Sequence, residues 1–122
     1  MTLQGSEQLW CKICGLTEIE DVTATVKAGA SAIGLNFYPS SARYVSENAA
    51  QQLSLAAAAA APECQRVGLF VNAAATDVER VVAAVELDLL QFSGDESATF
   101  CRSFGKPYLK AVKMRPDTDI RG

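Results

Sequence analysis

Histidine is missing from all 122 residues. Its absence removes the commonest general base and metal ligand, so acid/base chemistry falls to Cys, Asp, Glu, Lys or Tyr. Positive charge is also short: 11 Lys and Arg against 14 Asp and Glu leave a net charge of -3. That balance offers no basic stripe for nucleic acid or anionic lipid. Long apolar runs are lacking too. The longest, residues 53–61, is mostly alanine and stops at Pro62, far short of the roughly 20 residues a membrane span needs. Residues 1–8 have neither the basic start nor the apolar centre of a secretion signal. The expected location is the cytoplasm, where the four cysteines stay reduced. The first turn, Gly15-Leu16-Thr17, carries no G-x-G-x-x-G and no Walker lysine, so a nucleotide site has little support.

What is present is a regular alternation. Hydrophobic residues at 49% and charged residues at 20% make an ordinary globular chain, and the length predicts one domain, residues 1–122. Residues 9–14 read as a first strand. Thr17 and Glu20 then form a capping box ahead of a helix with Ile19, Val22, Thr23 and Val26 at helical spacing, ending near Gly29. Residues 32–37 are a second strand, followed by an irregular stretch, 38–44, that Pro39 and its serines keep out of regular structure. Ser46 is placed to cap a second helix through Leu53 and Leu55 into the alanine tract. Residues 66–71 form a third strand, continuously apolar from Val67, as a strand covered on both faces would be. Thr76 and Glu79 repeat the capping box before a stripe of Val78, Val81, Val82 and Val85. A fourth strand spans 87–92. Asp95 and Glu96 are expected in the first turn of a fourth helix, which buries Phe100 and Phe104. Residues 108–113 make a fifth strand, and 114–122 are a polar tail.

Strand-helix alternation over residues 9–113 implies a parallel sheet with right-handed crossovers. Two α/β architectures fit it. One is an open doubly wound sheet, suited to a nucleotide or effector; the other is a (β/α)8 barrel cut after its fifth strand. Pattern alone does not separate them.

Cys14 is the first candidate for chemistry. It ends the first strand, where an α/β barrel places its reacting groups. Alternation puts Lys12 and Cys14 on one face and Cys11 and Ile13 on the other, which dissolves the apparent Cys11-x-x-Cys14 pair. The same alternation sets the Lys12 ammonium near the thiol, where it favours the thiolate. The plainer alternative is a small core cysteine; the strand-end position beside Lys12 and Gly15 favours function. Arg43, in the loop after strand two, is either a carboxylate clamp or a solvated surface arginine. Gln91, near the end of strand four, orients a polar ligand group or caps a loop. Asp95 and Glu96 read mainly as capping residues, Cys64 and Cys101 as structural thiols, and Asn36 and Asn72 as candidates by position alone.

Five blocks of this sequence, in order, resemble the phosphoribosylanthranilate isomerase family. They are Lys12-Ile13-Cys14-Gly15-Leu16-Thr17, Gly34-Leu35-Asn36-Phe37-Tyr38-Pro39, Ser41-Ala42-Arg43-Tyr44-Val45, Arg66-Val67-Gly68-Leu69-Phe70-Val71-Asn72 and Asp88-Leu89-Leu90-Gln91-Phe92-Ser93-Gly94-Asp95-Glu96. The resemblance implies a TIM barrel, present here as a (β/α)4-β portion, and a step of tryptophan biosynthesis. The implied reaction is the cofactor-free Amadori rearrangement of a small phosphorylated substrate, N-(5-phosphoribosyl)anthranilate, with no metal, nucleic acid or membrane involved. It makes Cys14 the general base and Arg43 the ligand of the anthranilate carboxylate; Lys12 and Gln91, by their own positions, are expected as substrate-binding residues beside them. Two departures stand out. Ser93 occupies a position where the family usually has histidine. The family's catalytic aspartate and phosphate-binding loops belong to strands six to eight, and Asp117 and Asp119 are not placed to replace that aspartate. The chain alone is therefore expected to be inactive or nearly so, to pair with a complementary carboxyl-terminal half, or to persist as a non-catalytic half-barrel that self-associates through open strand edges.

Overall fold

A computed structural model describes residues 11–110. Its elements follow the expected alternation: β1 (Lys12–Cys14), α1 (Ile19–Lys27), β2 (Ala32–Asn36), α2 (Glu47–Ala60), β3 (Gln65–Phe70), α3 (Ala75–Ala84), β4 (Leu89–Phe92), α4 (Ala98–Arg102) and β5 (Tyr108–Lys110). The outer parts of the expected first and fifth strands, and the polar tail, lie outside the described residues. All neighbouring strands are parallel, and the sheet order is β1-β2-β3-β4-β5. Sequential order has no reversal of direction across the sheet, so it contains no switch point of the doubly wound kind. The open-sheet alternative is thereby set aside.

Alternate strand residues sort into two environments. Ile33, Leu35, Phe70, Leu90 and Phe92 pack with helix residues such as Val22, Val26, Leu53, Ala57, Val78, Val81 and Cys101 in the main core. Ala32, Val67 and Leu89 form a separate small cluster without any helix residue. The helices thus cover one face only, and Val67 of β3 is nonetheless buried on the other, so strand three is covered on both faces as expected. On the other face the sheet curls toward itself. Lys12 on β1 donates through Nζ to Oε1 of Gln91 on β4, across the two strands between them. In a flat sheet those strands would be roughly 14 Å apart, with side chains standing parallel. Their meeting requires a sheet curled toward a common axis, as in a barrel wall.

Helix starts differ from the sequence expectation in three places. α1 begins at Ile19 behind Glu18, with no side-chain cap. Thr17 therefore sits one residue too early for a capping box. α3 begins at Ala75 behind Ala74, again without a side-chain cap, so Thr76 is already inside the helix. α4 is capped by Ser97, whose hydroxyl accepts from Phe100 N at 3.1 Å, leaving Asp95 and Glu96 ahead of the helix rather than in its first turn. Ser46 does cap α2, accepting from Ala49 N at 3.2 Å. Phe104 lies past the end of α4 but still packs edge-on against Phe100, with ring centres 5.1 Å apart.

Candidate active site

Parallel strands present their carboxyl ends along one rim, and the loops there carry the polar side chains. Gly15 leaves β1 with φ +80, a conformation that spares the turn a strained side chain, and its N–H donates to Gly34 O at 3.1 Å. This extends the β1–β2 ladder just past Cys14, which pairs in register with Gly34. Cys14 is exposed at the rim.

Arg43 is brought to the same place by a compact loop. Asn36 at the end of β2 accepts from Tyr38 N at 2.8 Å and donates to Ser41 Oγ at 3.2 Å, and that hydroxyl also accepts from Arg43 N at 3.0 Å. Tyr44 returns to bridge Asn36. Asn36, a candidate by position alone, therefore organises the loop that carries Arg43. The Arg43 side chain crosses Gly15 so closely that a β-carbon there would lie 2.5 Å from Arg43 Cδ. Cys14 and Arg43, 29 residues apart in sequence, thus flank one turn.

Lys12 and Gln91 are also joined, but to each other. Gln91 accepts the Lys12 ammonium through Oε1 and donates through Nε2 to Ser93 Oγ at 3.2 Å. Ser93 consequently fixes the direction of the Gln91 amide. Alternation placed Lys12 on the face of Cys14, and its ammonium is turned to Gln91.

Sequence reasoning missed a clamp further along the rim. The Glu96 side chain is only 3% exposed. Its carboxylate accepts from Asn72 N at 2.7 Å, Gly94 N at 2.9 Å and Lys110 Nζ at 3.0 Å. Burial pushes this carboxyl up, but Lys110 and the amides outweigh it and the net shift is downward. Asn72, at φ 50, accepts from Asp95 N at 2.7 Å in return. No local pattern announces this, because Asn72 and Lys110 are far from Glu96 in sequence. Cys64 and Cys101 are buried, and burial is the leading cause that raises both thiols, in keeping with structural roles. A cavity of about 330 Å³ opens on the helix side of the rim, between Tyr44, Phe70, Asn72 and Arg80, and includes neither Cys14 nor Arg43. Arg80 there is already committed to Glu47 at 2.5 Å and Asp77 at 2.9 Å. Among the described residues, no helix is long and apolar enough to cross a membrane.

The family described as N-(5'phosphoribosyl)anthranilate (PRA) isomerase matches residues 11–121. The chain belongs to the phosphoribosylanthranilate isomerase family. Within it, the N-(5'-phosphoribosyl)anthranilate isomerase of Pseudomonas fluorescens is 50% identical over 109 residues, covering 89% of this chain and 50% of that protein. The corresponding isomerase of Acidithiobacillus ferrooxidans is 47% identical over 110 residues, covering 90% of this chain and 52% of its own. The crystal structure of phosphoribosyl anthranilate isomerase from Thermotoga maritima superimposes with a TM-score of 0.83 at 34% identity, over 93% of this chain and 55% of that one. A crystal structure of the isomerase in complex with reduced 1-(o-carboxyphenylamino)-1-deoxyribulose 5-phosphate gives the same TM-score, 0.83. The chain spans about half the length of the curated relatives it matches. Its described strands correspond to a PRA isomerase barrel wall, with Cys14, Arg43, Lys12 and Gln91 on the wall's inner face or upper rim.

Proposed function

We propose that this chain contributes the base and the carboxylate-binding arginine of a phosphoribosylanthranilate isomerase site, acting in tryptophan biosynthesis in the cytoplasm. The observation that carries this reading is the Arg43 side chain lying against Gly15, the residue next to Cys14. It sets a cation for the anthranilate carboxylate beside a strand-end thiol. The substrate is N-(5-phosphoribosyl)anthranilate. An acid protonates the furanose ring oxygen, and the ring C–O bond breaks to leave an iminium at C1. The Cys14 thiolate removes the C2 proton, whose electron pair forms the C1–C2 double bond of an enolamine. Protonation at C1 and loss of the C2 hydroxyl proton then give the ketone. Hydrogen moves within one molecule, so electrons balance without an external oxidant. Lys12 and Gln91 serve as polar contacts to the sugar. The acid and the phosphate grip come from strands beyond β5, as the doubled length of the relatives supports.

The direct test is to assay the rearrangement with the chain alone and with a polypeptide supplying the later strands of a relative. General acid and base each typically contribute about 10²–10⁴-fold, so activity is expected mainly in the mixture. No activity in either condition, with both polypeptides folded, would sink the proposal. A second reading, a self-associating half-barrel, is favoured by β1 and β5 standing at the ends of the described sheet, with Ile13 and Leu109 exposed. Light scattering tests it: a well-folded monomer at micromolar concentration contradicts association.

A further inference from the structure

Gly34 sits in the middle of β2, buried and paired with Cys14. A glycine inside a strand weakens it, because its backbone loses more freedom on folding and it offers no side chain to pack. Nothing in the backbone requires it, since Gly34 is not among the positive-φ glycines. Space is the reason. A β-carbon on Gly34 would lie 2.8 Å from Cys14 Sγ, and 3.3 Å from both Cys14 Cα and Cβ. Ordinary contact between such atoms needs about 3.5–4.0 Å. Those three atoms are the nearest neighbours, and all belong to Cys14. The missing side chain is therefore a seat for one sulfur atom.

We infer that Gly34 is a positioning residue for Cys14, holding the thiol in the rotamer that lies over β2. The inference rests on the reading of Cys14 as the proton acceptor, while its steric half stands independently of that reading. Side chains occupy discrete staggered wells, so the sulfur cannot retreat smoothly. With alanine at position 34 it must leave its well or push β1 away from β2. Either movement displaces the base from the C2 proton, and a misplacement on the order of 1 Å can cost about 100-fold in rate. Arg43, on the loop that follows β2, keeps its own tethers through Ser41 and Asn36.

The test is a thermal double-mutant cycle on the full chain, using wild type, Gly34→Ala, Cys14→Ala and the double variant. Gly34→Ala is expected to lower Tm by about 4–8 °C in the presence of the thiol, as overpacking does in a domain of this size. In the Cys14→Ala background the same change is expected to lower it by less than about 2 °C. Equal loss in both backgrounds, or none in either, overturns the inference. Should Gly34→Ala fail to fold, folding of the double variant supports the seat and its failure overturns it. In the reconstituted rearrangement assay, Gly34→Ala is expected to lower kcat by about 10- to 100-fold with KM within about twofold. A rise in KM at unchanged kcat contradicts the positioning role. Steric coupling without any wild-type isomerase activity would leave the seat standing and remove the functional reading instead.

Discussion

A strand-end cysteine is an ordinary residue until something else is brought beside it. Here that is Arg43, held by Asn36 and Ser41 and laid across Gly15. Both side chains were legible in the sequence: Cys14 by its place at the end of an apolar run, Arg43 by its place in an irregular loop. The contact across Gly15 was not, because it depends on the path of residues 36–44, where side-chain bonds of Asn36 and Ser41 replace any periodic pattern. The Lys12 ammonium was expected from alternation to serve the thiol, and it is turned to Gln91 by contacts no local rule includes. The two rim residues are separable by kinetics in the reconstituted enzyme. Cys14→Ala should lower kcat by about 10²–10⁴-fold with little change in substrate affinity. Arg43→Ala should instead raise KM by roughly 10- to 100-fold, the loss expected for a paired bond to a carboxylate. Unchanged turnover in the cysteine variant would remove Cys14 from the mechanism.

At the level of elements, helix existence and type were readable, as was the start of α2 at Ser46, but the other three helix starts were not. A capping box depends on register, and Thr17 and Thr76 miss the needed position by one and two residues. Asp95 and Glu96 look like helix-start acids for the same local reason. Glu96 instead ties the β3–α3 loop, its own turn and Lys110 of β5 together. Its carboxyl is held below the ordinary value of 4.5 in the folded chain, so the folded state binds that proton less readily than the unfolded chain does. The contribution is therefore complete above pH 4.5 and is lost as pH falls through the lowered folded value. Asp88, where burial raises the carboxyl but Arg66 and its backbone N–H more than reverse this, titrates with the same sign at the opposite end of the sheet. Glu96→Gln should destabilise the chain by about 1–3 kcal/mol at pH 7, because a neutral amide cannot serve three donors. Melting curves from pH 7 down to 3 check it: the gap between wild type and variant should close on the acid side. A gap independent of pH would show that the Glu96 charge does not hold the clamp.

For the molecule as a whole, alternation of strands and helices was enough to give a parallel α/β chain but could not choose between an open sheet and a barrel wall. Both place buried strands under amphipathic helices. What separates them is strand order together with curvature, properties of the sheet that no stretch of sequence carries by itself. The Lys12–Gln91 bond expresses that curvature as a contact between two named side chains on the first and fourth strands. It gives the curl an energetic signature in solution. Urea unfolding of wild type, Lys12→Met, Gln91→Leu and the double variant should yield a coupling energy of about 1.5–3 kcal/mol, the range of a hydrogen bond to a charged group. Methionine and leucine keep the apolar bulk, so the coupling reports the polar contact rather than lost volume. If five strands relax toward a flat sheet when alone, the two side chains part and the coupling falls to zero. In that case a polypeptide supplying the later strands should restore it, because closing the barrel forces β1 and β4 back toward one axis.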